Sequence, residues 1–261
     1  MIDQSLDANG VLSLRLNRPD KRNAIDDAMM MTLIEAIEGA GTNDDVRVIL
    51  LEGAGDDFCS GFDVVARNAG DKRPRAGSIQ RRVATQAHRL IPLVCTVQVP
   101  VVAKVRGWAA GIGFNLAIAA DFCIAADDAR FWQPFITRGF TPDSGATWML
   151  PRRVGDARAR ELLLLGRELS GAEAAEWGAI LRAVPASDLD AAAAETVQQL
   201  ANGPTVALGL AKWLLHESAS TTLGQQLANE AMGLELSSRS EDFREGMTAF
   251  REKRKPNFQG R

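Results

Sequence analysis

The sequence is poor in the residues that announce many kinds of chemistry. Only two histidines occur in 261 residues, His88 and His216, so a histidine-based metal site is not expected. The three cysteines, Cys59, Cys95 and Cys123, have no paired spacing and read as reduced, buried thiols of a cytoplasmic protein. Neither sign of charge dominates: 30 basic residues face 33 acidic ones, a net of -3, which gives no case for a nucleic-acid surface. No apolar run approaches the ~20 residues of a membrane helix. Acids come early and no apolar core follows the first residues, so no signal peptide is expected. A repeat of fixed period is also missing.

What is present is 46% hydrophobic residues, enough for one sizeable core and an appendage. Val11 to Leu16 alternates apolar and polar residues and predicts a strand. Asp26 is placed to cap a helix from about Ala28 to Glu38. Val46 to Leu51 is nearly all apolar, as in a strand covered on both faces. Gly53 to Asp63, GAGDDFCSGFD, is a glycine-rich loop, and Asn68 to Ser78 is a mobile surface loop without periodicity. A helix is expected from about Ile79 to Thr96, bent near Pro92. Asp156 to Leu165 is helical, Ser170 and Glu173 mark a capped helix start, and Ile180 to Val184 is a last short strand. An alanine-rich helix from Ser187 to Asn202 ends at Gly203-Pro204. Everything after it is helical: Val206 to His216, Leu223 to Leu236 and Ser240 to Lys253. The shift near Gly203 divides a mixed α/β core, residues 1–203, from a helical appendage, residues 204–261.

The organising stretch runs from Val101 to Pro151. A buried strand, Val101 to Val105, leads into a glycine-bearing turn, Gly107 to Gly113, and then a small-residue helix, about Phe114 to Ala120. Strand, turn and helix in that order aim free backbone N–H groups and the positive end of a helix at one spot. Further on, Gly139 to Gly145 holds one carboxylate, Asp143, in a run otherwise short of ionisable groups. The turn would supply an oxyanion site and Asp143 a proton-transfer group. On local grounds alone, the preferred reading of Asp143 is a cap on a helix from Ser144 to Leu150. Asp63 and Asp121 read as structural acids, and Trp132 and Trp148 as core.

Several motifs, in order, carry a resemblance. They are Leu16-Asn17-Arg18-Pro19 with Asn23-Ala24, then Phe58-Cys59-Ser60-Gly61-Phe62-Asp63, then Gly107-Trp108-Ala109-Ala110-Gly111-Ile112-Gly113. Ala120-Asp121, Leu150-Pro151-Arg152 and the terminal Arg244 to Phe250 with Glu252-Lys253-Arg254 complete the set. Over essentially the whole chain the sequence resembles the crotonase, or enoyl-CoA hydratase/isomerase, superfamily. The resemblance implies a spiral of strand-strand-helix repeats and a C-terminal helical trimerisation region. It implies homotrimers, or hexamers built as pairs of trimers. It implies an acyl-CoA substrate, with coenzyme A as thioester carrier and no permanently bound cofactor or metal.

By the same resemblance the backbone N–H groups of Phe62 and Ile112 hold the thioester oxygen, with Ile112 standing in place of the usual glycine. Related hydratases carry two glutamates where this sequence has Asn115 and Phe135. The pattern Gly113-Phe114-Asn115, Phe135 and Pro142-Asp143-Ser144-Gly145 is most similar to the branch that includes the phenylacetate-pathway epoxide-to-oxepin isomerase. Asp143 is then the acid-base and the reaction a double-bond shift or isomerisation through an enolate. Hydration or thioester hydrolysis, with Asp143 activating water through Asn115, is a second reading; a binding protein that has lost catalysis is a third. Trp108, Phe135 and Phe140 are implied to line the acyl pocket, beside Gly61, Asp63, Gly111 and Asn115. Arg22 and the Ala24 backbone match positions bordering coenzyme A, and Phe250 and Lys253 match positions that reach a neighbouring subunit's ligand.

Overall fold

The computed structural model describes residues 1–63 and 75–261. Its strands are β1 (Ile2–Leu6), β2 (Val11–Leu16), β3 (Val48–Gly53), β4 (Val101–Val105), β5 (Trp108–Ala110), β6 (Phe122–Ala126), β7 (Arg130–Trp132), β8 (Glu168–Ser170) and β9 (Arg182–Val184). They form a six-stranded sheet of order β1-β2-β3-β4-β6-β9 and a three-stranded sheet of order β5-β7-β8. From β2 onward every pairing in the large sheet is parallel. Parallel strands are covered on both faces, which is why β4, Val-Val-Ala-Lys-Val, has every residue but Lys104 buried.

The chain winds between the two sheets. It lays β4 in the large sheet, turns at Gly107, lays β5 in the small one and enters the helix Ile112–Ala119; it then repeats the step with β6 and β7. Gly107 is obligatory at that corner: its φ is +54°, and a Cβ would come within 2.1 Å of the Asp56 carbonyl oxygen. This is the α/β spiral expected from the resemblance.

Helices α1 (Asp27–Ala40), α2 (Ser78–Val83), α3 (Ala87–Thr96), α4 (Ile112–Ala119), α5 (Ala146–Val154), α6 (Asp156–Leu164), α7 (Gly171–Glu176) and α8 (Leu189–Ala201) surround the sheets. The cap at Asp26 is present, its carboxylate accepting from Met29 N at 2.9 Å, and Ser170 and Glu173 form a reciprocal capping box before α7. From Thr205 on, the described elements are all helices: α9 (Thr205–Glu217), α10 (Leu223–Ser237) and α11 (Glu241–Glu252). Lys212 of α9 fastens this region to the core. Its Nζ donates to the carbonyls of Val94 and Val99 and pairs with Asp121 at 2.8 Å. No described helix is long and apolar enough to cross a membrane.

Three local readings change. The helix expected over 79–96 is two helices, and the break is not at Pro92, which lies inside α3, but at Gln86. Gln86 leaves helical geometry (φ -123°, ψ -103°) while its buried side chain donates to Asp27 on α1 at 2.9 Å. Strand β1 was not anticipated, because only its first residue is buried and no alternation marks it. Trp148 is 44% exposed rather than core; Arg152 lies over its ring at 4.1 Å. Most of the loop expected over 68–78 lies outside the described residues; of it, 75–77 precede the helix that starts at Ser78.

Candidate active site

Two backbone segments run side by side at the centre of the molecule. Cys59 N donates to Trp108 O at 2.8 Å and Ala110 N donates to Cys59 O at 2.9 Å, a parallel bridge that sets Cys59 level with Ala109. The contact stays close beyond the bridge, since a Cβ on Gly61 would lie 3.2 Å from the Ala110 carbonyl oxygen.

The two amides come from different local structures. Phe62 is bridged to Ile25, but the hydrogen bonds are Ile25 N to Gly61 O and Asp63 N to Ile25 O, both 2.9 Å, so Phe62's own N–H takes no part in the bridge. Ile112 is the first residue of α4, where an N–H has no carbonyl of its own helix to reach. Gly111 precedes it at φ 53°, ψ -120°, a conformation suited to glycine, and Gly111 N is held by Trp132 O at 2.8 Å. Ile112 thus lies at the positive end of a buried helix.

Asp143 sits in a strained corner. Ser144 beside it is buried and left-handed at φ +52°, and Gly145, at φ +81°, is the N-cap of α5. A left-handed non-glycine residue costs about 1–2 kcal/mol, which the surrounding bonds must offset. Ser144 Oγ donates to Asp143 Oδ1 at 2.8 Å. The Asp143 main-chain oxygen accepts from Ala146 N at 3.1 Å and from the Asn115 side chain, also at 3.1 Å. Asp143 does not cap α5: the N-cap is Gly145, with no side-chain bond to the helix. Its Oδ2 has no hydrogen-bond partner among the described residues.

Asn115 is fully buried, one turn into α4 from Ile112. Behind it lies Gln133, 1% exposed, whose Nε2 donates to Asn115 Oδ1 at 2.8 Å. The sequence reading passed over Gln133. The only signal for it was an uncharged polar residue directly after an apolar strand, which has many structural explanations. Phe135 is buried and meets Phe140 edge to face, centroids 5.6 Å apart. Trp108 packs against Trp132 at 6.0 Å, with Arg130 over its outer face.

The rim is organised by Asn23, fully buried at φ +56°. Its amide donates to the carbonyls of Ala54 and Asp57, and its Oδ1 accepts from Arg18 N. This holds Arg22 and Ala24 beside the 57–61 segment, where Arg22 O accepts from Ser60 N at 2.9 Å. The Arg22 guanidinium is itself exposed, 3.8 Å from Asp57. Asp63 is held by Arg18 at 3.0 Å, which fits the structural role expected of it. Asp121 accepts from Val101 N and pairs with Lys212, again a structural acid. Cys59 is fully enclosed, and burial pushes its thiol up to about 12, so it is no nucleophile at neutral pH. Phe250 is exposed on α11, and Lys253 closes that helix in a left-handed conformation. Neither is joined to Asp143 or Asn115 by a hydrogen bond or ring contact among the described residues.

Comparison with known proteins gives this geometry a context. A family model described as enoyl-CoA hydratase/isomerase matches residues 7–261. The chain is 40% identical over 252 residues to 1,2-epoxyphenylacetyl-CoA isomerase of Escherichia coli strain K12, covering 97% of this chain and 96% of the relative. It is 33% identical over 258 residues to 2,3-dehydroadipyl-CoA hydratase of the same organism, covering 96% of each. Among solved structures, enoyl-CoA hydratase from Bacillus anthracis superposes with a TM-score of 0.92 at 30% identity, covering 100% of this chain and 99% of that one.

Proposed function

This chain belongs to the enoyl-CoA hydratase/isomerase family, and on that premise we propose that it isomerises an unsaturated acyl-CoA with Asp143 as its single acid-base. The thioester oxygen lies between the amides of Phe62 and Ile112. The Asp143 carboxylate removes a proton from the carbon alpha to the thioester, and the electron pair passes into an enolate whose charge falls on that oxygen. The proton then returns at the gamma carbon, so a beta,gamma double bond becomes alpha,beta and no other reactant is consumed. Each preorganised donor at such an oxyanion is worth about 3–4 kcal/mol of transition-state stabilisation, and a positioned proton shuttle about 10²–10⁴ in rate.

The observation that carries this reading is the 3.1 Å hydrogen bond from Asn115 to the Asp143 main chain. It ties the only carboxylate of the 139–145 corner to the first turn of the helix whose N-terminus supplies one of the two amides. Phe135 supports isomerisation over hydration, because a buried phenyl ring stands where related hydratases carry a second glutamate, and it can neither activate water nor deliver a proton. Coenzyme A would rest along the Arg22–Ala24 rim. The reading includes assembly into trimers through residues 204–261, where Leu223, Leu227 and Leu234 leave apolar surface exposed.

The test is incubation of a 3-enoyl-CoA, 3-hexenoyl-CoA for instance, in isotopically labelled water. Isomerisation gives the 2-enoyl-CoA with no added oxygen, and with label at carbon to the extent that the Asp143 proton exchanges with solvent before its return. Hydration adds the mass of water, and thioester hydrolysis releases free coenzyme A. Asp143→Asn is expected to remove turnover and exchange alike; undiminished turnover in that variant defeats the reading.

A further inference from the structure

A chain of buried amides runs from the small sheet to the back of Asp143, and only one arrangement of its donors and acceptors works. The Asp143 main-chain oxygen can only accept, so Asn115 must present Nδ2 to it, at 3.1 Å. Asn115 Oδ1 therefore faces Gln133, which must answer with Nε2, at 2.8 Å. Gln133 Oε1 is left buried with no partner among the described residues. A buried amide oxygen without a hydrogen bond is destabilising. We propose that Gln133 is a positioning residue for Asp143: it locks the Asn115 amide in the one orientation that grips the Asp143 backbone, and so sets where the carboxylate meets the acyl chain. This rests on the acid-base role proposed above for Asp143.

The alternative orientation shows what Gln133 prevents. With Asn115 turned over, its oxygen would face the Asp143 carbonyl, two acceptors at hydrogen-bond distance. The corner would then lose one of the bonds that offset the left-handed Ser144. Asp143 would keep its hydrogen bond from Ser144 but lose its tie to α4. Displacing a reacting group by about 1 Å is enough to cost on the order of 10²-fold in rate.

The orphan oxygen makes the role separable from a merely structural one. In Gln133→Met the unpartnered Gln133 oxygen disappears and Asn115 Oδ1 becomes unpartnered instead. The number of buried orphan acceptors is unchanged, so the melting temperature should move by no more than about 4 °C, the shift of a ~1 kcal/mol change. The rate should nevertheless fall. The experiment measures kcat and KM for 3-hexenoyl-CoA and the melting temperature for Gln133→Met, Asn115→Leu, their combination and Asp143→Asn.

We expect Gln133→Met to lower kcat by about 10-fold or more with KM within about twofold, because misplacing Asp143 affects the reacting geometry rather than ligand affinity. The double variant should be no slower than Asn115→Leu alone, since Gln133 acts only through Asn115. Independent, multiplying effects overturn the proposal, as does a Gln133→Met protein with reduced melting temperature and unchanged kcat. If the Met variant does not fold, Gln133→Leu replaces it: it too offers Asn115 no donor and should lower kcat in the same way; unchanged kcat there overturns the proposal. Loss of activity in Asp143→Asn with wild-type rates in the Gln133 variants would leave the acid-base reading standing and remove this one. Full activity in Asp143→Asn removes both.

Discussion

Gly113 lies so close to Cys59 that a Cβ added to it would come 2.4 Å from the Cys59 carbonyl oxygen and 2.8 Å from its Cβ. The first turn of α4 is thus seated directly on the segment that leads to Phe62. The spacing of the two proposed oxyanion donors is set by this contact rather than by any side chain that touches substrate.

Gly113→Ala should therefore separate the two donors. Cys59 is buried and its backbone is bridged to β5, so it cannot retreat freely. Overpacking of this kind costs typically about 1–3 kcal/mol. The expected outcome is a folded protein, by circular dichroism, with a lower melting temperature and kcat reduced by more than the stability loss explains.

Ile112→Pro isolates one donor. Proline is tolerated at the first position of a helix, where its missing N–H leaves no helical hydrogen bond unmade. The substitution removes an amide that α4 does not need. Helical content should be retained while kcat falls by about 10²–10³, the loss seen when one oxyanion donor is removed. Undiminished kcat in a folded variant would take Ile112 out of the proposed site.

Lys212 and Asp121 illustrate a different dependence. Burial lowers the Lys212 pKa and raises that of Asp121, so the enclosure works against both charges and their mutual attraction answers it. Removing one partner of such a pair costs about 3–5 kcal/mol. Lys212→Met should destabilise markedly by denaturant titration, and Lys212→Met with Asp121→Asn should recover part of the loss, because no uncompensated carboxylate remains.

Glu245 gives an acid-side prediction. Hydrogen bonds from Arg254, and then from Asn257 N, lower its pKa from 4.5 to about 2. A carboxylate whose folded pKa is depressed contributes its full stabilisation above the unfolded value and loses it as pH falls through the folded one. The tie between α11 and the C-terminal tail should hold at pH 5 and be lost between about 4.5 and 2. The amide chemical shift of Asn257, whose N–H donates to Glu245 at 2.7 Å, should titrate near the lower value. It should not titrate in Glu245→Gln.

The elements most legible in the sequence were those whose signal is local. The valine-rich β4, the Asp26 cap and the Ser170–Glu173 capping box each follow from a few neighbouring residues. Asp143 stood out because its segment holds no other acid. The break at Gln86 was missed because the sequence shows only the nearby proline; the bond that accompanies the break crosses to Asp27, 59 residues away. Gln133 was missed for a related reason: an amide's importance depends on which of its two ends finds a partner, and composition carries no record of that.

By itself, the amino-acid sequence determined the parallel strands, the helix starts, the glycine corners and the membership of a family, because these rest on periodicity, capping chemistry and residues adjacent in the chain. Only the tertiary structure decided that Cys59 pairs with Ala109 and that Asn115 grips the backbone of Asp143. Those relations join residues 50 and 28 positions apart. Their partners are chosen by how two sheets and a buried helix pack, and packing leaves no local mark on the chain.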